Sequence, residues 1–474
     1  MNVVKLEKVK KVTAKDYLTV PFYECVDNEK FYSTTQVMKI FTAGTGVGKT
    51  YSTATEFIPY LFNEHKVKLI VVSAPQNEIL DISDFYLGSN LNNYQVVETI
   101  DKALLLAKMG MNVVLLTNHQ SIMTDDKGKK LFNYLMTTSN KFAIFVDEAH
   151  TFLCSGKENY KDNLGHYSST YEAKFFNQIA SLSVKSPYIF GLTATPNSEQ
   201  LGLLSTVGSM KFQVMNEMAP KDLLITKGAY LNTVKYYDTL TNFNVEIAYE
   251  DFLVNAYSES YACGIKKTAI VSCGIETAAN GFTKTYVLEL TKKILKDEGL
   301  TETDVGSIAL LTGKKSETGI YSVDGSFEKC SGQEIKEKLN DYNDSLMIVL
   351  VVQKGQMGFN GYTYKNYFSF KSSDKKNKSG ESLTEFAIQG LGRLTRLNSG
   401  LSTSDFTKDY GYDLGNYIKT LNDDQIEKLL IANSMNIVVP DNAMWGETIK
   451  TFSEKYVSSL LQAKTYFDNL KSSQ

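Results

Sequence analysis

The sequence has few of the residues that bind metal ions or form disulfides. Its 474 residues include five cysteines and four histidines. Structural zinc sites need closely spaced cysteine or histidine ligands, and the sequence has no CxxC pair. This distribution argues against a zinc site and for reduced thiols. The cysteines are Cys25, Cys154, Cys263, Cys273 and Cys330.

Long apolar runs and a strong excess of one charge are absent as well. No apolar run is long enough to cross a bilayer, and the beginning, MNVVKLEKVKKVTAKDY, lacks the apolar block of a secretory signal. We therefore expect a cytoplasmic protein that has no membrane association. The net charge of −3 gives no overall attraction to nucleic acid, so such binding would need a local basic groove.

The sequence does contain a series of short apolar runs, each followed by a polar or amphipathic stretch. Runs such as KLIVVSAP, KFAIFVDE, KTAIVSCG and SLMIVLVV predict buried parallel strands of α/β domains. The chain is also too long for a single hydrophobic core. We predict an N-terminal segment (1–35), a first α/β domain (36–198), a connecting region (199–265), a second α/β domain (266–420) and a helical C-terminal tail (421–474).

A glycine-rich loop follows the apolar run VMKIFT and matches the P-loop pattern, except that alanine replaces its first glycine. The glycines allow backbone N–H groups to surround phosphate oxygens. Lys49 is placed to reach the β- and γ-phosphates of ATP, and the Thr50 hydroxyl to bind Mg²⁺. The loop consists of Ala43, Gly44, Thr45, Gly46, Val47, Gly48, Lys49 and Thr50.

An acidic pair ends the apolar run in KFAIFVDEAH, about a hundred residues after the P-loop. Asp147 is placed to hold Mg²⁺ together with Thr50. Glu148 is placed to polarise the water that attacks the γ-phosphate. The two segments together predict hydrolysis of a nucleotide, beyond its binding.

The stretch QGLGRLTR, residues 389–396, places two arginines three residues apart. On a helix this spacing directs Arg393 and Arg396 to one point. Guanidinium groups are planar and permanently charged, which suits phosphate oxygens. Taken alone, the stretch is more typical of an ordinary helix with surface arginines.

AGTGVGKT, DEAH and QGLGRLTR resemble motifs I, II and VI of the superfamily 2 helicases and translocases. The resemblance implies two tandem RecA-like domains with parallel sheets flanked by helices, and a small helical C-terminal region. It also implies an ATP- and Mg²⁺-dependent ATPase that nucleic acid stimulates. Further motifs are similar in the same order: VVSAPQ (motif Ia), LLTNHQS (Ib), GLTATP (III), AIVSCG (IV) and VVQKGQMGFNG (V).

The resemblance also implies roles for individual residues. Arg393 and Arg396, with Gln389 beside them, would face the γ-phosphate across the cleft between the two domains and complete the catalytic set of Lys49, Asp147 and Glu148. A second group would couple hydrolysis to movement; it comprises Thr193, Thr195, His150 and Gly358. A third group would contact backbone phosphates of nucleic acid; it comprises Ser73, Pro75, Thr117, His119, Thr312 and Lys354. For His119 a purely structural role is an equal alternative.

DEAH together with TATP is more similar to the DNA-directed branch of the superfamily, which includes type III restriction subunits and phage helicases. This favours DNA over RNA, in a bacterial, phage or virus-like intracellular context, with protein partners in a replication, recombination, transcription or virion complex. Adenine selectivity stays open because no clear Q motif precedes the P-loop. A duplex translocase that never separates strands, an RNA helicase and a nucleotide-binding subunit with little turnover remain alternatives.

Overall fold

The computed structural model contains two compact units, one within residues 11–223 and the other within residues 224–375 and 383–474. We call them the first and the second unit. Within the described ranges, no helix combines the length and the apolar character needed to cross a membrane. The structure describes residues 13–28, 37–44, 46–74, 86, 94–124, 126–149, 171–194, 210–216, 233–237, 245–278, 280–300, 307–312, 316–352, 361–370, 391–411, 414–440 and single positions after residue 444.

The first unit is built on a sheet of seven parallel strands in the order β3-β4-β2-β5-β6-β1-β7. The central strands are continuous apolar runs and are buried on both faces, as predicted for a parallel sheet. The strands are β1 Val37–Thr42, β2 Leu69–Ala74, β3 Gln95–Val97, β4 Val113–Asn118, β5 Phe142–Val146, β6 Ile189–Thr193 and β7 Lys211–Val214.

Helices connect these strands. A π-helical segment, Thr53–Phe57, joins α2 to α3, and the Tyr94 hydroxyl donates a hydrogen bond to the Ala54 carbonyl within it (3.2 Å). The helices are α1 Ala14–Asp27, α2 Lys49–Ser52, α3 Ile58–Asn63, α4 Ile100–Lys108, α5 His119–Thr124, α6 Asp126–Thr137 and α7 Tyr171–Ser183.

Helix α1 packs into the first unit although a proline lies inside it. Pro21 lacks the N–H that would bond to the Tyr17 carbonyl. Asn216 supplies the missing donor, because its Nδ2 lies 3.2 Å from the Tyr17 oxygen. The Phe22 ring stacks on Phe57 at 4.1 Å with an interplanar angle of 3°. Helix α1 is therefore part of the core around the P-loop helix.

The second unit is built on an eight-stranded sheet in the order β12-β11-β10-β13-β9-β14-β15-β8. All pairings are parallel except those of β11, which runs antiparallel to both β10 and β12. The strands are β8 Thr233–Tyr237, β9 Thr268–Ser272, β10 Ile308–Leu311, β11 Gly319–Tyr321, β12 Phe327–Lys329, β13 Ile348–Val351, β14 Tyr364–Ser369 and β15 Ser434–Val438. The helices are α8 Val245–Cys263, α9 Lys284–Asp297, α10 Gly332–Asn340, α11 Thr403–Tyr410, α12 Leu414–Lys419 and α13 Asp423–Ala432.

The C-terminal stretch is not entirely helical. Helix α13 confirms the predicted helix after residue 422, but Ser434–Val438 forms β15 between β14 and β8. The prediction of a helical tail is therefore corrected for this stretch. Every residue of β15 is buried. Pairing with β14 on one side and with β8 on the other satisfies the hydrogen bonds of its backbone.

Candidate functional site

The glycine-rich loop after β1 adopts a conformation that requires glycine at two positions. Gly46 has φ 73° and Gly48 has φ 102°, a region that side-chain-bearing residues rarely occupy. A Cβ at Gly48 would lie 3.4 Å from the Cβ of Ala14 in α1. The Ser52 N–H donates to the Gly48 carbonyl (2.9 Å), which begins the helix directly after the loop. Thr45 lies outside the described residues.

Lys49 turns back into the curve of this loop. Its Nζ donates hydrogen bonds to the carbonyl oxygens of Ala43 (3.0 Å) and Gly44 (3.1 Å). The Lys49 side chain is buried, so its ammonium is held inside the loop. Thr50, which follows it in α2, is half-buried. The loop therefore encloses a fixed cation, an arrangement that suits phosphate oxygens.

The acidic pair follows β5 in a tight turn. Asp147 is buried, and its N–H donates to the Ser73 carbonyl at the end of β2 (2.7 Å). The Glu148 N–H donates to Asp147 Oδ1 (3.0 Å). Glu148 has φ 47°, a left-handed conformation that costs on the order of 1 kcal/mol for a non-glycine residue. The turn therefore holds the Asp147 carboxylate against the backbone of Glu148.

Strand β6 connects the loop to the acidic turn. Thr193 pairs with Thr42 in register, and its carbonyl accepts a hydrogen bond from the Ala43 N–H (3.3 Å). The Leu192 carbonyl accepts one from the Ala149 N–H (2.9 Å). Since β6 lies between β5 and β1, the carboxyl ends of all three strands meet at one edge of the sheet. The structure thus brings Lys49, Asp147, Glu148 and Thr193 to that edge, while His150 and Thr195 lie outside the described residues.

Three predicted nucleic-acid contacts lie at the same edge of the first unit. Ser73 Oγ and His119 Nδ1 are 2.6 Å apart, and both side chains are buried. Thr117, near the end of β4, is also buried. Pro75 lies outside the described residues. In this structure Ser73 and His119 bind each other and are shielded from solvent, so the predicted phosphate contact of their side chains stays a prediction.

The second unit carries the remaining predicted residues. Thr312 follows β10, and its N–H donates to Thr318 Oγ1 (3.2 Å). Arg393 is buried and Arg396 is half-buried. The other predicted positions of this unit, Lys354, Gly358 and Gln389, lie outside the described residues.

The two arginines do not share a continuous α-helix. Arg393–Thr395 is a short 3₁₀ helix, and Arg396 is extended with φ −68° and ψ 141°. On a helix their spacing would direct both side chains to one point, but the helix does not continue through Arg396. The next α-helical hydrogen bond would join the Asn398 N–H to the Leu394 carbonyl. Instead, the Asn398 N–H donates to Asn433 Oδ1 (2.9 Å), and the Leu394 carbonyl accepts from Lys365 Nζ (2.7 Å).

The residues that fix this turn are not among those that the sequence predicts to have a role. Lys365 stands in the aromatic run YTYKNYFSF, and every residue of strand β14 is buried. A lysine inside such a strand is a usable signal, because lysine is almost never fully buried without partners. Asn398 and Asn433 give no comparable signal, since asparagine is common in turns.

Residues 16–198 match the profile of the ResIII family, described as type III restriction enzyme, res subunit. The first unit carries a ResIII-like domain. No curated protein sequence matches the chain.

A solved helicase structure shares the fold of most of this chain. The DUF1998 helicase MrfA bound to DNA matches with a TM-score of 0.51 and 10% identity, over 96% of this chain and 51% of that chain. Together with the two sheets, this match shows tandem RecA-like units. Lower TM-scores belong to S. cerevisiae Dbp5 bound to RNA and ADP BeF3 (0.48, 11% identity, 97% and 100% covered) and to Mycobacterium smegmatis helicase Lhr bound to ssDNA and AMP-PNP (0.47, 12% identity, 93% and 48% covered).

Proposed function

We propose that this protein is a nucleic-acid-stimulated ATPase that couples ATP hydrolysis to movement along DNA. The arrangement at the edge of the first sheet carries the proposal. The phosphate-binding loop follows β1, the acidic turn follows β5, and β6 between them is hydrogen-bonded to both. In open α/β sheets, ligands bind at the carboxyl ends of the strands, which is where these residues converge.

The residues at this edge fit ATP and Mg²⁺. Lys49 places its ammonium within 3.0 and 3.1 Å of two loop carbonyls, so a cation already lies inside the loop. The Thr50 hydroxyl and the Asp147 carboxylate provide the hard oxygen ligands that Mg²⁺ prefers. In the proposed roles, Lys49 contacts the β- and γ-phosphates, Thr50 and Asp147 hold Mg²⁺, and Glu148 orients the attacking water. Bound Mg²⁺ neutralises charge that develops on the phosphates.

The second unit supplies the proposed arginine fingers. We assign Arg393 and Arg396, with Gln389, to the γ-phosphate because QGLGRLTR resembles motif VI. A finger stabilises the developing charge only when the two units close around ATP, which links hydrolysis to movement. In the proposed mechanism, this link also involves Thr193, Thr195, His150 and Gly358.

We propose DNA as the track. The first unit matches a family described by a restriction enzyme subunit, and the structure of MrfA, which has the same fold, is described as bound to DNA. The proposed contacts are to backbone phosphates, which position a protein without reading sequence. They involve Ser73, Pro75, Thr117, His119, Thr312 and Lys354.

Steady-state ATP turnover measured with single-stranded, duplex and forked DNA, and with matched RNA, tests the proposal. We expect DNA to give the largest stimulation. If RNA stimulates more, RNA is the track. Absence of turnover with every nucleic acid would overturn the proposal and favour a nucleotide-binding subunit.

A second pair of assays separates unwinding from translocation. Release of a labelled strand from a forked duplex requires unwinding, whereas displacement of a triplex-forming strand requires only movement along the duplex. We expect strand release. Triplex displacement without strand release would identify a duplex translocase.

A further inference from the structure

Lys365 is a buried lysine whose hydrogen bonds reach the arginine-bearing turn, which we define as residues 391–400. It lies in β14 with no exposed surface. Its Nζ donates to the carbonyl oxygens of Leu394 (2.7 Å) and Arg396 (2.6 Å). One ammonium therefore binds the backbone just after Arg393 and at Arg396 itself.

An ammonium at this position is costly for the fold. Burial lowers the pKa of Lys365, and the nearby charge of Lys267 lowers it further. A buried polar group is tolerated when hydrogen bonds compensate for the lost water. The carbonyls of Leu394 and Arg396 provide that compensation, while the Asn398 N–H, which would continue an α-helix, donates to Asn433 instead.

Buried asparagines fix the turn from its other end. The Asn398 N–H donates to Asn433 Oδ1 (2.9 Å), and Asn433 Nδ2 donates to the Asn398 carbonyl (2.9 Å). Asn398 Nδ2 also donates to the Lys266 carbonyl (2.8 Å), and the Tyr342 hydroxyl donates to Asn398 Oδ1 (2.9 Å). The backbone that carries both arginines is thus held from β14 on one side and from Asn433, after α13, on the other.

We propose that Lys365 is a positioning residue that sets the direction of the Arg393 and Arg396 side chains toward the nucleotide. This inference rests on the proposed function. Lys365 acts through the backbone of the turn and does not touch ATP. Without it, the Leu394 and Arg396 carbonyls lose a donor, and the end of the 3₁₀ helix is no longer fixed. A misplacement of about 1 Å at a catalytic group can cost on the order of 100-fold in rate.

The chain offers a matched control in Lys266. It is also buried, and its Nζ donates to two backbone carbonyls, those of Lys338 (2.9 Å) and Asp341 (2.8 Å), at the end of α10. Removing either ammonium therefore causes a similar loss of buried hydrogen bonds. Of these two ammonium groups, that of Lys365 bonds to the arginine-bearing turn, whereas Lys266 contacts the turn through its main-chain oxygen.

The experiment compares Lys365→Met with Lys266→Met in the full chain. Methionine keeps a long unbranched apolar chain and removes the ammonium. We expect both variants to lose thermal stability, and both to bind ATP within about twofold of wild type. We expect kcat for DNA-stimulated turnover to fall at least about tenfold in Lys365→Met and to stay within about twofold in Lys266→Met. An equal kcat in the two variants would overturn the inference.

A combined variant distinguishes positioning from general damage. If Lys365 acts through the two arginines, adding Lys365→Met to a variant that carries both Arg393→Ala and Arg396→Ala lowers kcat little further. Multiplying losses would overturn the inference. If Lys365→Met does not fold, Asn433→Ala replaces it, because Asn433 holds the same turn, and normal kcat in that folded variant would also overturn the inference.

Failure of the proposed function gives a different result. Wild-type protein would then show no turnover above Lys49→Ala with any nucleic acid, which overturns the proposed function and this inference with it. Wild-type turnover combined with an unaffected Lys365→Met overturns this inference alone.

Discussion

Glu148 combines a catalytic assignment with an unusual backbone. Its φ of 47° and the hydrogen bond from its N–H to Asp147 Oδ1 fix its backbone relative to the proposed Mg²⁺ ligand. We predict that Glu148→Gln binds ATP normally but loses at least about 100-fold in turnover, since general-base catalysis contributes about 10² to 10⁴. The variant should also bind DNA more tightly with ATP, because the closed state accumulates. Turnover and DNA affinity measured on one preparation test this.

Glu64→Gln is the control for this prediction. Glu64 is an exposed residue of the first unit, and its neutralisation changes the net charge by the same amount. It should leave turnover and DNA affinity unchanged. Equal turnover and equal DNA affinity in the two variants would contradict the proposed role of Glu148.

The backbone conformation at Gly48 leads to a prediction about both stability and ATP binding. Its φ of 102° strains any side-chain-bearing residue, and an added Cβ would meet Ala14 Cβ at 3.4 Å. We predict that Gly48→Ala lowers the free energy of unfolding by about 1–2 kcal/mol and weakens ATP binding. Gly110→Ala is the control, because Gly110 has φ 80° with nothing within 4 Å. It should lose similar stability, as measured by denaturant unfolding, and bind ATP normally. Loss of ATP binding in both variants would contradict the P-loop assignment.

Because Lys266 is buried, we predict that the stability of the fold depends on pH. Burial lowers its pKa from 10.5 to about 8 in the folded protein. Between these values the unfolded chain binds a proton that the folded chain does not, so rising pH stabilises the folded state. Below about pH 8 Lys266 is protonated in both the folded and the unfolded state, and the full free-energy cost of burying its charge is present. The free energy of unfolding of wild type should therefore rise by up to about 3 kcal/mol relative to that of Lys266→Met between pH 8 and 10.5.

Urea unfolding of the two proteins across this pH range measures the difference directly. Other titrating groups cancel in the comparison because the proteins differ only at Lys266. A constant difference from pH 8 to 10.5 would show that Lys266 keeps an ordinary pKa.

At the scale of elements, α1 forms part of the core of the first unit. Phe22 is fully buried against Phe57, in the segment that follows the P-loop helix. We predict that Phe22→Ala lowers the free energy of unfolding by about 3–5 kcal/mol. Val20→Ala in the same helix should stay within about 0.5 kcal/mol, because Val20 is 58% exposed. Equal stability of the two variants would mean that α1 does not pack on this core.

The sequence predicts some elements well for physical reasons. Strands β1, β2, β4, β5 and β6 are apolar runs buried on both faces, which is the pattern that parallel sheets require. Helix α1 is harder to predict because Pro21 argues against a helix, and its compensation by Asn216 comes from a residue 195 positions later, which local patterns do not reveal. The end of the arginine-bearing turn is hard to predict for the same reason, since Lys365 in β14 and Asn433 after α13 are distant from it in sequence.

At the scale of the whole molecule, the order of the motifs carries more information than any one of them. A glycine-rich loop, an acidic turn and an arginine pair are each common, but their succession along two α/β series predicts the tandem fold that the comparison with MrfA supports. The sequence could not predict that Ser73 and His119 bind each other, because that contact depends on how the ends of β2 and β4 pack.

The most direct test of the central claim is the steady-state ATP turnover of wild type and Lys49→Ala, each with and without DNA. Removing the ammonium that lies within the loop should abolish most of the attraction for the phosphates. The account predicts that DNA raises wild-type turnover, and that Lys49→Ala, while remaining folded, stays near background in both conditions. Wild-type turnover in Lys49→Ala would contradict it.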